Sequence, residues 1–158
     1  MSKILEAQPM QSVSEVKAVP RGYHSVTPFL NVEVASKLIQ FMKQAFNAEG
    51  GEPMKGPDGR IAHAELKIGD SIVMLSDATP KYAATSSHLY VYLENVDRTF
   101  KRALDAGAVS LQEPADQFYG DRTAGFKDPT GNLWWIAQRV EEVSPEEMER
   151  RMKARNTQ

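Results

Sequence analysis

The chain of 158 residues contains no cysteine. That excludes disulfides and thiolate metal sites, and it is the usage expected of a reducing compartment. Long apolar runs are missing too: no stretch approaches the roughly 20 residues needed to span a bilayer. The opening stretch, MSKILEAQPMQSVSEVKAVP, lacks the apolar core of a secretory leader. The expectation is a cytoplasmic protein with no membrane partner. Nor is there a basic block. Nineteen Lys and Arg against 21 Asp and Glu leave a formal net charge of −2, so a nucleic-acid partner is not expected.

What is present is enough apolar material for a core, 41% of the chain. Residues 1–22 read as a flexible arm ending at Pro20–Arg21–Gly22. Ser25 to Val32 then reads as a strand. Ala35 to Ala48 reads as a helix with Leu38, Ile39, Met42, Ala45 and Phe46 on one stripe. A short strand around Glu52–Lys55 and a Gly56–Gly59 turn follow. Ile61 to Ile68 alternates, with Ala62, Ala64, Leu66 and Ile68 on one face and His63, Glu65 and Lys67 on the other. Gly69–Asp70 turns the chain into a strand from Ser71 to Ser76, and a linker follows to Ser86.

The same order then recurs. Ser87 to Leu93 is a strand, and Val96 to Ala106 a helix with Asp97 suited to its N-terminus. Val109 to Gln112 is a short strand, Pro114 to Gly120 a loop, Arg122 to Lys127 a strand, and Leu133 to Gln138 the last strand. At an offset of 61 positions Leu30 meets Val91, Val32 meets Leu93 and Ile39 meets Phe100. One further residue of slippage aligns Gly69 with Gly131. The expected fold class is α+β, with modules at 23–80 and 86–140. A charged C-terminal helix at 143–155 is opened by a Ser144–Pro145–Glu146–Glu147 capping box.

Several stretches carry a family resemblance. They are Thr27–Pro28–Phe29–Leu30–Asn31–Val32, Gly59–Arg60–Ile61–Ala62–His63–Ala64–Glu65–Leu66, Tyr119–Gly120–Asp121–Arg122, and Asp128–Pro129–Thr130–Gly131–Asn132–Leu133–Trp134. Over roughly Tyr23 to Arg151 the chain resembles the glyoxalase/bleomycin-resistance/dioxygenase family, the vicinal oxygen chelate superfamily, and within it the PhnB-like subgroup. The resemblance implies two βαβββ modules whose curved mixed sheets enclose a cavity, with helices on the outer face. It also implies a homodimer, often with modules exchanged between chains.

Metal-dependent members of that family resemble one another at four ligand positions. Here these fall on Thr27, on Val73 or Met74 with the offset favouring Val73, on His88 and on Trp135. Only His88 is a good ligand, so no metal cofactor is expected. Alternation instead suggests a pocket lined by Thr27, Phe29, Asn31, His63 and Glu65 from one module. The other module adds His88, Tyr90, Tyr92 and Trp135, and the family resemblance implies Tyr119 and Arg122 at the pocket's edge. Arg122 either clamps a ligand carboxylate or phosphate or pairs with Asp121 or Asp116 at the surface.

The leading expectation is a glyoxalase/bleomycin-resistance-like protein with a degenerate metal site. It would bind or sequester a small organic molecule, aromatic or antibiotic-like. The alternative is a metal-dependent lyase, isomerase or dioxygenase using His63, Glu65 and His88 as a facial triad. Against it stands a reading in which Glu65 pairs with Lys67 or Arg60 and His63 is a half-buried polar residue. A third possibility is an interaction module that uses the C-terminal helix.

Overall fold

The computed structural model describes residues 15–157, so most of the expected arm lies outside the described residues. The chain forms two units of βαβββ type, the first with two short strands after its helix where the second has a single strand. In the first, β1 (Phe29–Val32) leads through α1 (Ala35–Phe46) to β2 (Glu49–Gly50), β3 (Met54–Lys55), β4 (Ile61–Ile68) and β5 (Ser71–Asp77). In the second, β6 (His88–Tyr92) leads through α2 (Val96–Asp105) to β7 (Val109–Asp116), β8 (Asp121–Lys127) and β9 (Leu133–Arg139). The last element is α3 (Pro145–Arg155).

The helices form where their apolar spacing and caps dictate. α1 buries Leu38, Met42 and Ala45 as its stripe requires, and Phe41 with them. Asn47 ends it in the left-handed region, φ 53°, donating its backbone N–H to the Met42 carbonyl. α2 is capped by Asn95, whose side-chain oxygen accepts from the Arg98 amide at 2.9 Å. Thus Asn95 caps the helix, and Asp97 is free for another partner.

Each unit forms its own mixed sheet. The first has strand order β1-β5-β4-β2, with β3 also on β4; the second has order β6-β9-β8-β7. In both, the first strand runs parallel to the last. Phe29 is paired with Met74 and Tyr90 with Trp135. Tyr90 and Trp135 each lie 61 positions after Phe29 and Met74, so the offset holds through the last strands without slippage. The residue equivalent to Trp135 is therefore Met74. Val73 points the other way and is buried.

Two strand boundaries differ from expectation by four residues. β1 begins at Phe29 because the preceding residues form a turn, with the Thr27 hydroxyl donating to the His24 carbonyl at 3.0 Å. Residues 114–116, expected as loop, continue β7. Register shifts between Ser110, Gln112 and Ala115 absorb Pro114, and β7 is an edge strand, where a missing N–H is tolerated.

The two units share one core. Leu30, Leu66, Leu75, Phe126, Trp134 and Ile136 belong to a single cluster with the buried faces of both helices. Phe41 of α1 packs edge-on to Phe126 of β8, centroids 5.9 Å apart, and Phe46 packs on Trp134 at 4.9 Å. Arg102 of α2 donates to the Gln44 carbonyl at 3.0 Å and to the Asn47 side chain. Each helix covers its own sheet, and within one chain the two helix layers meet. Each sheet therefore turns one face inward and leaves the other open, carrying exposed Phe29 on one side and exposed Tyr90 and Tyr92 on the other.

Candidate functional site

The open face of the first sheet is built by alternation on β4 and β5. His63 and Glu65 are two residues apart and share that face, where His63 Nε2 lies 2.9 Å from Glu65 Oε1. Tyr23, from the segment before β1, donates its hydroxyl to Glu65 Oε2. The bond to His63, then that to Tyr23, holds the Glu65 carboxyl below its ordinary range. The partner of Glu65 is thus His63 together with Tyr23; Lys67 and Arg60 do not pair with it. Phe29 lies beside His63, ring centroids 5.9 Å apart.

Phe29 is also a wall of a cavity of about 740 Å³ floored by Asn31, Ile61 and Ser76 and closed by Tyr82. The polar groups around it are committed to the fold. Asn31 Nδ2 donates to the Tyr82 and Ala83 carbonyls at 2.8 Å each. The Asp77 carboxylate accepts from the Ala35 and Ile61 amides at 2.7 Å each. What remains is a mostly apolar recess, with the half-exposed Asp58 and Arg60 also in its lining. The contribution of Tyr82 comes from the linker between units, where no strand or helix period announces it.

The open face of the second sheet carries an aromatic group. His88 and Trp135 are neighbours at 6.4 Å, and Tyr90 and Tyr92 at 5.4 Å. Trp135 lies directly over Gly125, where a Cβ would come within 2.6 Å of the indole. Burial, and then the Tyr119 hydroxyl, push the Tyr90 phenol above its ordinary value, so Tyr90 remains a neutral donor. Below them Asp121 is 1% exposed and accepts from Nε of the half-exposed Arg139 at 2.5 Å, a pair that the sequence does not announce.

Arg122 does not reach this face. It lies on the helix side, where Nε and Nη2 donate to the two Asp97 oxygens at 2.7 and 2.8 Å and Nη1 to Asp116 at 3.0 Å. Asp97, then Asp116, raises its affinity for its proton. The fork that would clamp a ligand instead braces α2 against β7 and β8. Tyr119 does sit at the edge of the face. Its loop is held by α3, where Arg151 donates to the Phe118 carbonyl at 3.0 Å and Arg155 lies over the Phe118 ring at 4.6 Å.

The expected lining therefore divides. Thr27, Phe29, His63 and Glu65 belong to the first open face, and His88, Tyr90, Tyr119 and Trp135 to the second. The alternative triad of His63, Glu65 and His88 is not assembled within the chain, because His88 is on the other sheet. Among the described residues, no three His, Asp or Glu side chains gather so as to hold a metal ion. The four positions given by the family resemblance, Thr27, Met74, His88 and Trp135, do not fit a divalent ion. They offer one imidazole, one soft thioether, a hydroxyl already donating to a carbonyl, and an indole.

Comparisons with known proteins agree with this fold. The family model described as Glyoxalase/Bleomycin resistance protein/Dioxygenase superfamily matches residues 23–136. An uncharacterised protein of Mycobacterium bovis is 34% identical, the match covering 81% of this chain and 91% of that protein. An uncharacterised protein of Mycobacterium tuberculosis is equally similar, with 81% and 82% covered. Among solved structures, TioX from Micromonospora sp. ML1 has a TM-score of 0.59 at 23% identity, covering 73% of this chain and 99% of that one. A glyoxalase/bleomycin resistance protein/dioxygenase family enzyme from Burkholderia phytofirmans has a TM-score of 0.57 at 20% identity, covering 71% and 97%. These structures share the fold.

Proposed function

Since the chain belongs to the glyoxalase/bleomycin resistance protein/dioxygenase superfamily, we propose that it binds a small, flat, uncharged organic molecule between its two open sheet faces, contributed by two copies. The observation that carries this reading is the pair of exposed aromatic faces. Phe29 is 50% exposed, Tyr90 48% and Tyr92 62%, each on the side of its sheet away from the core. Exposed aromatics concentrated on concave faces are characteristic of binding surfaces.

Two further features support a second copy as the other wall. Strands β1 and β6 each have a sheet neighbour on one side only, leaving free edges beside these faces. The duplication gives the two sheets matching registers, so a twofold pairing can set the first sheet of one copy against the second sheet of the other. A ligand stacked between them gains about 0.5–1.5 kcal/mol per aromatic contact beyond area burial. No step through a metal ion is part of this function, since the donor set does not suit one.

Thermal-shift screening with flat aromatic antibiotics and metabolites tests the reading, because a ligand that binds the native state raises Tm. A binder is expected. Its affinity should fall about tenfold on Phe29→Ala and on Tyr90→Ala, with Tm of the free protein little changed. A library that shifts nothing, or a binder indifferent to both substitutions, would contradict it.

A further inference from the structure

We propose that His63 and Glu65 form a metal-free general-base dyad, in which His63 takes a proton from an acidified C–H of a flat molecule lying against Phe29. This goes beyond binding and assigns the first open face a reaction.

The geometry fixes the roles. An ionised carboxylate can only accept, so the 2.9 Å bond places the proton on His63 Nε2. The Nδ1 lone pair then has no protein partner among the described residues and is available as a base. Glu65 is gripped at both oxygens, by His63 at Oε1 and by Tyr23 at Oε2, which fixes the plane of its carboxylate and so of the imidazole. The lowered carboxyl stays ionised and stabilises the imidazolium that forms when Nδ1 is protonated. The same bond, with lesser help from burial, raises the Tyr23 phenol, so Tyr23 remains a donor. Glu65 and Tyr23 are positioning residues, and His63 is the group that touches the substrate.

Access and placement agree. The side chains of His63 and Glu65 are each 33% exposed, reachable from the open face yet partly shielded. Phe29 lines the cavity of about 740 Å³ and lies beside His63, ring centroids 5.9 Å apart, so a ring stacked on Phe29 lies near the imidazole. In the step, the C–H bond breaks and the proton passes to Nδ1. The electron pair stays on the ligand, delocalising into an adjacent carbonyl or expelling a leaving group. Return of the proton to the product or to water restores the dyad. The substrate class is a flat carbonyl or heteroaromatic compound with one acidified C–H.

The probe is 5-nitrobenzisoxazole. Loss of its C3 proton breaks the ring N–O bond and releases the coloured 2-cyano-4-nitrophenolate, with no oxidant, reductant or metal required. Saturable turnover that survives EDTA is expected. His63→Ala and the near-isosteric His63→Gln should both lower kcat by about 100-fold, the usual contribution of a positioned base. Glu65→Gln and Tyr23→Phe should lower kcat while leaving KM and Tm in place. Turnover no faster than buffer, turnover abolished by EDTA, or full kcat in both folded His63 variants would overturn the proposal. Probe binding read by thermal shift without turnover would overturn it while leaving the binding function intact.

Discussion

Single residues decide how the second open face is presented. The Trp135 indole lies on Gly125, and a methyl group there would come within 2.6 Å of the ring. Gly125→Ala is predicted to push the indole off the face. It should cost about 1–3 kcal/mol in chemical denaturation, change tryptophan fluorescence and weaken ligand binding. Asp128 acts in the opposite direction, inward. Its buried carboxylate accepts from the Thr130 amide and hydroxyl at 2.6 and 2.7 Å and from Trp134 Nε1 at 2.7 Å. Asp128→Asn puts donors where only acceptors fit, and a loss of about 1–3 kcal/mol in denaturant unfolding is predicted. Some of this was legible in the sequence. Alternation alone put His63 with Glu65, and Tyr90 with Tyr92. Of the two partners of Arg122 the sequence offered Asp116 but not Asp97, which lies on a helix 25 residues earlier and is brought to it only by the packing of α2. Tyr23 was equally hidden, since the segment that carries it has no regular period.

At the scale of elements, the ion pairs of the C-terminal helix give it a dependence on pH. Ser144 caps it as its sequence indicates, accepting from the Glu147 amide at 3.2 Å. Glu147 does not reach back to complete the box. Its carboxylate accepts from Arg150 and Arg151 instead, and these bring its pKa down to about 2 from 4.5. A depressed carboxylate contributes its stabilisation above the unfolded value and loses it as pH falls through the folded one. The helical structure of α3 is therefore predicted to weaken between about pH 4.5 and 2. Hydrogen exchange at residues 145–155 would show this, and Glu147→Gln should flatten the dependence. Boundaries were least legible where tertiary pairing overrides local preference. Pro114 and the residues after it read as loop, yet β8 draws them into β7 through two register shifts. Thr27 reads as strand, yet a turn to the His24 carbonyl keeps it out.

At the scale of the molecule, the duplication was the most legible feature, because an offset of 61 brings the same element order and the same facing twice. The relation between the units was not legible. Alternation tells which residues share a face of one sheet and says nothing of how that sheet is turned against another. In the chain the helix-covered faces share a core, and the aromatic faces look outward. A cup that needs both faces must take them from two copies. Co-expression of a Phe29→Ala chain with a Tyr90→Ala chain tests this most directly, using calorimetry with a ligand found by thermal shift. In a mixed dimer with exchanged faces, one cup carries both substitutions and the other neither. With random assortment about a quarter of all cups are intact, and tight binding at that stoichiometry is predicted. If the co-expressed protein shows no tight-binding fraction beyond the two single variants, each cup lies within one chain and the account is contradicted.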